Sequence, residues 1–351
     1  MSTYLLIDVG AGTLDLLWYD ESAGEHFKAV IKSPVRTMAN AIETLKGNLV
    51  VTGVEMGGGR VSSALKKRAQ SDRVVMSMDA AATVHHNPDK VKSAGIVIVS
   101  GEEARALAAS PDYAHVTLAD IEPERLRRIV EGFGVPFRFD IIGLCAQDHG
   151  VPPPGVSHLD FRHRLFADTL DRSPFPHALV YPGDRVPSTF NRLCCMARAA
   201  AKMPADELYV MDSGMAAIQG ACHAPLCRGL TRFMVLDIAT SHTVGAAISK
   251  GEIAGFFEYH THDLSVEKLD RLLLDLPGGT ISHTQILHEG GHGAYTRSRF
   301  DYRQTEIIIA TGPRRMLMTG SRLPFSNGAP WGDNMMTGTV GVLEAIRKFR
   351  A

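Results

Sequence analysis

Tyr4-Leu-Leu-Ile-Asp-Val-Gly-Ala-Gly-Thr-Leu-Asp-Leu-Leu-Trp18 is an apolar strand that carries an aspartate into a glycine-rich turn and then resumes as a second strand. The pattern predicts a hairpin built to hold phosphate. Asp8 closes the first strand, where a carboxylate can face a hydrated divalent cation. Gly10 and Gly12 remove side chains so that backbone N–H groups reach phosphate oxygens, and Thr13 offers a hydroxyl. An ordinary hairpin with a glycine turn has the same letters. A second copy raises the functional reading: in Phe233-Met-Val-Leu-Asp-Ile-Ala-Thr-Ser-His-Thr-Val-Gly-Ala-Ala-Ile248 an apolar run again ends in an aspartate, Asp237, before a turn of small and hydroxyl residues. Two such hairpins predict a duplicated fold with a nucleotide in the cleft between its halves.

These residues resemble the phosphate motifs of the actin, sugar kinase and Hsp70-type ATPase superfamily. Met211-Asp-Ser-Gly-Met-Ala-Ala-Ile-Gln-Gly220 is similar to its small-residue connecting helix, Glu306-Ile-Ile-Ile-Ala-Thr-Gly312 to its adenosine motif, and Thr337–Ile346 to the helix that follows. The resemblance implies an α/β protein of two ribonuclease-H-like, actin-like ATPase domains, each with a mixed sheet, facing an interdomain cleft. The first domain is expected over 1–206, with an α/β insertion at about 79–135, and the second over 207–351. It also implies ATP with Mg²⁺, whose bound waters Asp8 and Asp237 would orient. Gly10, Gly12, Thr13, Thr240, Ser241 and Thr243 would hold phosphate, and Gly312 would let adenine lie against backbone. Asp212, entering the cleft, is expected to act as base or metal-water ligand. Ala239 stands where the second loop usually has glycine, and its methyl is expected to crowd a phosphate.

A narrower resemblance is to the DUF1786 family, loosely labelled pyruvate formate-lyase-activating-like. It is carried by Thr52-Gly-Val-Glu-Met-Gly-Gly-Gly59, Gln147-Asp-His-Gly150 with Pro153-Pro-Gly-Val-Ser157, Phe161-Arg162, Met211-Asp-Ser-Gly214 and Gly290-Gly-His-Gly293. The activating-enzyme label finds no support in the residues. A radical S-adenosylmethionine activator needs three closely spaced cysteines for its cluster, and Cys145, Cys194, Cys195, Cys222 and Cys227 offer no such triplet.

Composition narrows the rest. The 351 residues suffice for two domains, and 37 basic residues against 38 acidic ones, with no long basic run, predict no nucleic-acid partner. Apolar stretches are strand-length, so no membrane span is expected, and five scattered cysteines fit a reducing cytoplasm. The expected partner is a small molecule.

Several further segments carry candidate chemistry. Gly57, Gly58 and Gly59 follow a strand and precede a helix, where free amides bind an anion or substrate, though a plain tight turn has the same pattern. Phe137–Cys145 reads as a core strand that delivers Asp148 and His149 to a stiff Pro152-Pro-Pro154 loop. Strand ends of that kind bind ligands in open α/β sheets. Arg185–Lys202 reads as one long amphipathic helix. The 15 histidines are the other unusual feature. His260 and His262, two apart in the expected strand 256–262, share a face. With His292, His149 and His242 they make a transition-metal site a second reading, with His260, His262 and His292 as ligands, while His149 and His242 are expected to contact the substrate. A histidine on a solvent-facing strand fits the same spacing. His288-Glu-Gly-Gly-His292 has the letters of a zinc-protease helix, but adjacent glycines point to a helix end passing into a loop. The expected function is an ATP-dependent phosphotransferase, ATPase or ligase with a small-molecule acceptor. The rivals are a histidine-metal enzyme and a non-catalytic nucleotide switch.

Overall fold

The computed structural model describes residues 2–351. Apolar runs broken by short turns make the chain open as an antiparallel meander of β1 (Thr3–Val9), β2 (Thr13–Asp20) and β3 (Glu25–Lys32). It then leaves to build an all-parallel sheet from β4 (Asn48–Gly53), β5 (Val74–Ser77), β6 (Ile96–Val99) and β7 (Tyr113–Leu118), in the order β6-β5-β4-β7. It returns with β8 (Phe139–Ala146), β9 (Val180–Pro182) and β10 (Ala205–Asp212), completing a sheet ordered β3-β2-β1-β8-β10-β9. The last strands are β11 (Arg232–Ile238), β12 (His242–Ser249), β13 (Glu252–His260), β14 (Gly293–Thr296), β15 (Ile308–Thr311) and β16 (Ser326–Asn327). They form a sheet ordered β14-β13-β12-β11-β15-β16.

The two six-stranded sheets repeat one plan. In the first, β1 is antiparallel to β2 and parallel to β8, which is parallel to β10. In the second, β11 is antiparallel to β12 and parallel to β15, which is parallel to β16. That order, a meander followed by parallel strands, is the ribonuclease-H-like arrangement of the actin-like ATPase fold, present twice.

Strand membership differs from the expectation in two places. β4 and β5 pair with β6 and β7, so the parallel sheet spans 48–118 and begins well before residue 79. The helix Pro123–Gly132 instead places Leu126 and Val130 in the core of the first six-stranded sheet. β10 pairs with β8 as far as Asp212, carrying the first sheet beyond residue 206. The physical reason is burial on both faces: Leu49, Val50, Val51, Val74, Val75 and Met76 are all fully buried, and such strands carry no alternation to tell which sheet they join. The expected helix Arg185–Lys202 is also shorter, Asn191–Ala200; Pro187 disfavours helical backbone at the preceding Val186.

The halves are joined by two helices, Ser213–Cys222 and Thr337–Arg350. They cross with backbones in contact. A β-carbon at Gly341 would lie 1.8 Å from the Ala216 carbonyl oxygen, and one at Gly220 would lie 1.9 Å from that of Thr337. The terminal helix continues across β8, where a β-carbon at Gly143 would lie 2.5 Å from Val342 Cγ1. Gly341→Ala is therefore expected to cost about 3 kcal/mol, at the upper end of overpacking effects, measured by urea unfolding. Gly132→Ala, where a β-carbon meets nothing within 4 Å, is the control and should be neutral or slightly stabilising. Equal stability of the two variants would refute the close crossing.

All five cysteines are free. Among the described residues no helix is long and apolar enough to cross a membrane.

Candidate active site

The two hairpins turn alike. In the first, Asp8 pairs with Asp15 and Val9 with Leu14, and the Gly10 N–H donates to the Thr13 carbonyl at 3.0 Å. In the second, Asp237 pairs with Val244 and Ile238 with Thr243, and the Ala239 N–H donates to the His242 carbonyl at 3.1 Å. Equivalent registers set Ala239 in the place of Gly10 and His242 in that of Thr13. The only non-glycine described residues with positive φ are Lys250 and Trp331, so Ala239 takes the glycine position without backbone strain. The loop tips meet: a β-carbon at Gly12 would lie 3.1 Å from Thr240 Cγ2.

Between the hairpins lies a cavity of about 550 Å³. Asp8, Asp15 and Asp237 line one part of it, and all three carboxyls are pushed up from an ordinary 3.8. Burial raises Asp8 to about 7, with the Asp237 charge adding to the effect and the neighbouring Cys145 thiol opposing it. Burial raises Asp15 to about 8, helped by the charge of Asp8, and raises Asp237 to about 6 against a hydrogen bond from Thr311. That bond runs from Thr311 Oγ1 to Asp237 Oδ1 at 2.8 Å. Asp15 Oδ1 is buried with no partner. No Lys or Arg among the described residues forms an ion pair with any of the three. Asp8 Oδ2 instead lies against the first turn of the terminal helix, where a β-carbon at Gly338 would come within 2.0 Å of it.

The expected site residues Gly10, Gly12, Thr13, Thr240, Ser241, Gly312, Gly57, Gly58, Gly59, Asp148, His149, His242, His260 and His292 all line this cavity. Gly312 adopts φ +85° and packs so closely that a β-carbon would lie 2.5 Å from the Ile238 carbonyl oxygen. Several of these are already engaged, the Gly10 N–H with the Thr13 carbonyl and Thr13 Oγ1 with Asp15 Oδ2 at 3.4 Å among them. The Gly57 N–H donates to both oxygens of Asp120 at 3.2 Å, so that amide serves the chain's own carboxylate. Asp148 accepts from the Gly150 N–H at 2.8 Å and the Leu193 N–H at 3.0 Å, which fixes the loop after β8. Burial lifts its carboxyl to about 6.

Three expected residues do not face the cavity. Asp212 is buried behind it: Oδ1 caps the helix Ser213–Cys222 by accepting from Gly214 and Met215, and Oδ2 accepts from Arg162 at 2.9 Å. With its oxygens so occupied it positions the connecting helix instead of serving as a base. Thr243 is fully buried and bonds Thr261 Oγ1 at 3.0 Å, because strand alternation that points His242 inward must point Thr243 away. His262 lies beyond the end of β13, in a short 3₁₀ turn, and its side chain is 74% exposed beside Asp263. The turn destroys the two-residue alternation that paired it with His260.

His242 takes its place. The register of β12 and β13 sets His242 directly opposite His260, and His292, whose N–H donates to the Glu258 carbonyl at 2.8 Å, closes the group. Nitrogens of the three rings lie within 4.8 Å of one another. Burial drives His242 down to about 3 and lowers His260. Behind them Glu258 is buried and receives hydrogen bonds from Gln147 and from Arg162, the latter at 2.5 Å. Burial alone would raise the Glu258 carboxyl, but the guanidinium holds it well below the usual range.

Sequence reasoning did not single out Asp15, Glu258 or Arg192. Asp15 was findable, since a turn at Ala11-Gly12 sets it opposite Asp8. Arg192 lines the cavity and clamps Asp120, Nε to Oδ2 at 2.7 Å. Arg162 appeared only inside a family motif, without a role.

No curated protein sequence matches the chain. Solved structures that it resembles include the ROK hexokinase of Thermus thermophilus, at 11% identity and TM-score 0.33 with 99% of each chain covered. A ROK family glucokinase from Streptomyces griseus in complex with glucose and AMPPNP gives 10% identity and TM-score 0.35, again with 99% of each covered. MreB5 of Spiroplasma citri bound to ADP gives 11% identity and TM-score 0.33, with 99% of this chain and 97% of that one covered. These overlays are loose, and the fold rests on the strand order already described. A family model described as "Putative pyruvate format-lyase activating enzyme (DUF1786)" matches residues 56–317. That span takes in most of the polypeptide, including the glycine turn, the Gln147–Gly150 loop and the histidine segment, and the chain belongs to the DUF1786 family.

Proposed function

We propose that this protein binds a nucleoside triphosphate with Mg²⁺ in the cavity and transfers the terminal phosphoryl group to water or to a small acceptor. One observation carries the reading. Equivalent hairpins from the two sheets bring Asp8 and Asp237 to one cavity, with Asp15 beside them and no basic side chain paired to any of the three. The donor set fits a hard divalent cation, which prefers carboxylate and water oxygens. The orphaned oxygen of Asp15 and the upward shifts of all three carboxyls support the same reading.

Asp8, Asp15 and Asp237 would hold the ion, directly or through water. The turns at Gly10–Thr13 and Ala239–His242 would contact phosphate through backbone N–H groups and the Thr13, Thr240 and Ser241 hydroxyls. Mg²⁺ supplies charge neutralisation on the phosphates. What remains for the chain is orientation: little covalent chemistry is asked of a protein in phosphoryl transfer, where positioning and electrostatics dominate. Gly312, with no side chain, leaves the second half open to a base ring. The cavity wall from the parallel-sheet insertion, with Glu55, Gly58 and His86, would choose the acceptor.

Linkage gives the test a sign. The three carboxyls keep protons in the folded chain that they have lost in the unfolded one, so the ligand-free protein loses stability as pH rises from about 4 to 8. A bound cation restores it. A fixed concentration of Mg²⁺ with ATP, about one hundred times its dissociation constant at pH about 8, should stabilise by roughly 2.7 kcal/mol there and by less at pH about 5, and chelation should abolish the effect. A thermal melt checks this, paired with phosphate release in the presence of candidate sugars and other hydroxyl compounds. No shift with any Mg²⁺-nucleotide would end the proposal. A shift without turnover would turn it into a nucleotide-driven switch.

A further inference from the structure

We infer that His242, His260 and His292 form a three-imidazole site for one divalent transition ion of the zinc, cobalt, nickel and iron class, with a coordination position open to the cavity. The inference is independent of the nucleotide reading.

Geometry carries it. His260 Nε2 and His292 Nε2 face each other at 3.2 Å. A tetrahedral ion bound at 2.0–2.1 Å separates neighbouring ligand nitrogens by about 3.3–3.4 Å, so these two atoms already stand at ligand spacing. His242 lies in the same group, its ring centroid 4.6 Å from that of His260 and 4.7 Å from that of His292. The bland alternative is a hydrogen bond between His260 and His292. It satisfies those two rings but leaves His242 Nε2, which is buried with no partner. A shared ion would accept all three lone pairs.

The surroundings are those of a ligand set. His292 Nδ1 lies 3.5 Å from Glu258 Oε1. A ligating histidine commonly turns its second nitrogen to a carboxylate, which fixes the tautomer and raises basicity. Glu258 is itself held by Arg162 and Gln147. An ion needs its imidazole ligands neutral, so binding should weaken as pH falls and the rings take up protons. Imidazole selects transition ions over Mg²⁺ or Ca²⁺, which take oxygen. The nitrogen-lined wall is thus chemically distinct from the carboxylate wall formed by Asp8, Asp15 and Asp237. All three histidines line the cavity, so the remaining position of the ion would take water or an oxygen of a small molecule bound there.

The test uses the full chain, stripped with a chelator and titrated with Co²⁺ and then Zn²⁺. One Co²⁺ per chain is expected, with the intense visible absorption of a four- or five-coordinate ion, displaced by stoichiometric Zn²⁺. His242→Ala, His260→Ala and His292→Ala should each weaken binding by about 100-fold or more. His262→Ala, whose ring stacks 5.2 Å from His260 outside the group, should bind like the wild type. Metal-free melts verify that the variants fold. A wild-type spectrum identical to aqueous Co²⁺ would overturn the inference without recourse to any variant. So would equal loss in His262→Ala, or full occupancy in all three single variants.

Discussion

Asp8→Asn is expected to make the ligand-free protein more stable and to remove nearly all of the proposed phosphoryl transfer. The carboxylate sits between Gly338 and Cys145 with Asp237 and Asp15 close enough to act on its charge. Without a cation the folded state must hold three buried carboxylates together. The neutral amide removes one of them. Because Asp8 is raised to about 7 but keeps partial access to the cavity, the gain is discounted to about 1–2 kcal/mol at pH about 8. It should vanish at pH about 5, where the native carboxyl is already protonated. Phosphoryl turnover should fall by roughly 100-fold or more, the usual scale for removing one preorganised charge contact. Thermal melts at the two pH values and single-turnover assays check both halves. A variant less stable at pH about 8, or one with undiminished turnover, would contradict the assignment of Asp8 to the cation.

Arg162→Ala carries the other large effect. Its guanidinium donates to Asp212 at the end of β10 in the first sheet and to Glu258 in β13 of the second, and it rests over the Phe166 ring at 4.5 Å. One buried cation therefore ties the halves at the base of the cavity. Its removal leaves two buried carboxylates without compensation, a change that costs about 3–5 kcal/mol. Denaturant unfolding should show the loss. Lysine should rescue little, since a point charge cannot serve two carboxylates in a fork. The sharper check is Arg162→Met combined with Asp212→Asn and Glu258→Gln, which should recover much of the loss because no charge is then stranded. A single variant within about 1 kcal/mol of wild type would refute the tie, that being the scale of an exposed pair.

Both hairpins were legible because each combines a local pattern, an apolar run ending in aspartate, with a tight turn, and local patterns survive in a linear string. The duplicated fold followed from seeing the pattern twice. The sheet that β4 and β5 join is hidden because the middle of each is apolar on both faces, and nothing in Leu-Val-Val or Val-Val-Met names a partner strand. His262 reads as a ligand only when two-residue alternation is carried past the point where β13 stops. The strand ends at His260, and the pairing that matters, His242 opposite His260, is a cross-strand register that no single segment states. Thr243 was the opposite error, since period-two alternation from His242 already excluded it from the cavity. Asp212 looked chemical because of its place at a strand end. That place equally suits a helix cap, and the cap is what its Oδ1 forms.

The crossing of the glycine-bearing helices reaches into how the polypeptide is made. β1 and β8 are synthesised well before the helix Thr337–Arg350 that covers them, with Val342 and Ile346 seated over Gly143. Until that helix is made, the sheet holding β1 and β8 has an apolar flank without its lid, a surface that invites chaperones or self-association. The packing of that sheet thus waits on a segment almost 200 residues downstream of β8, and a stop ahead of Thr337 should leave it in an aggregating form.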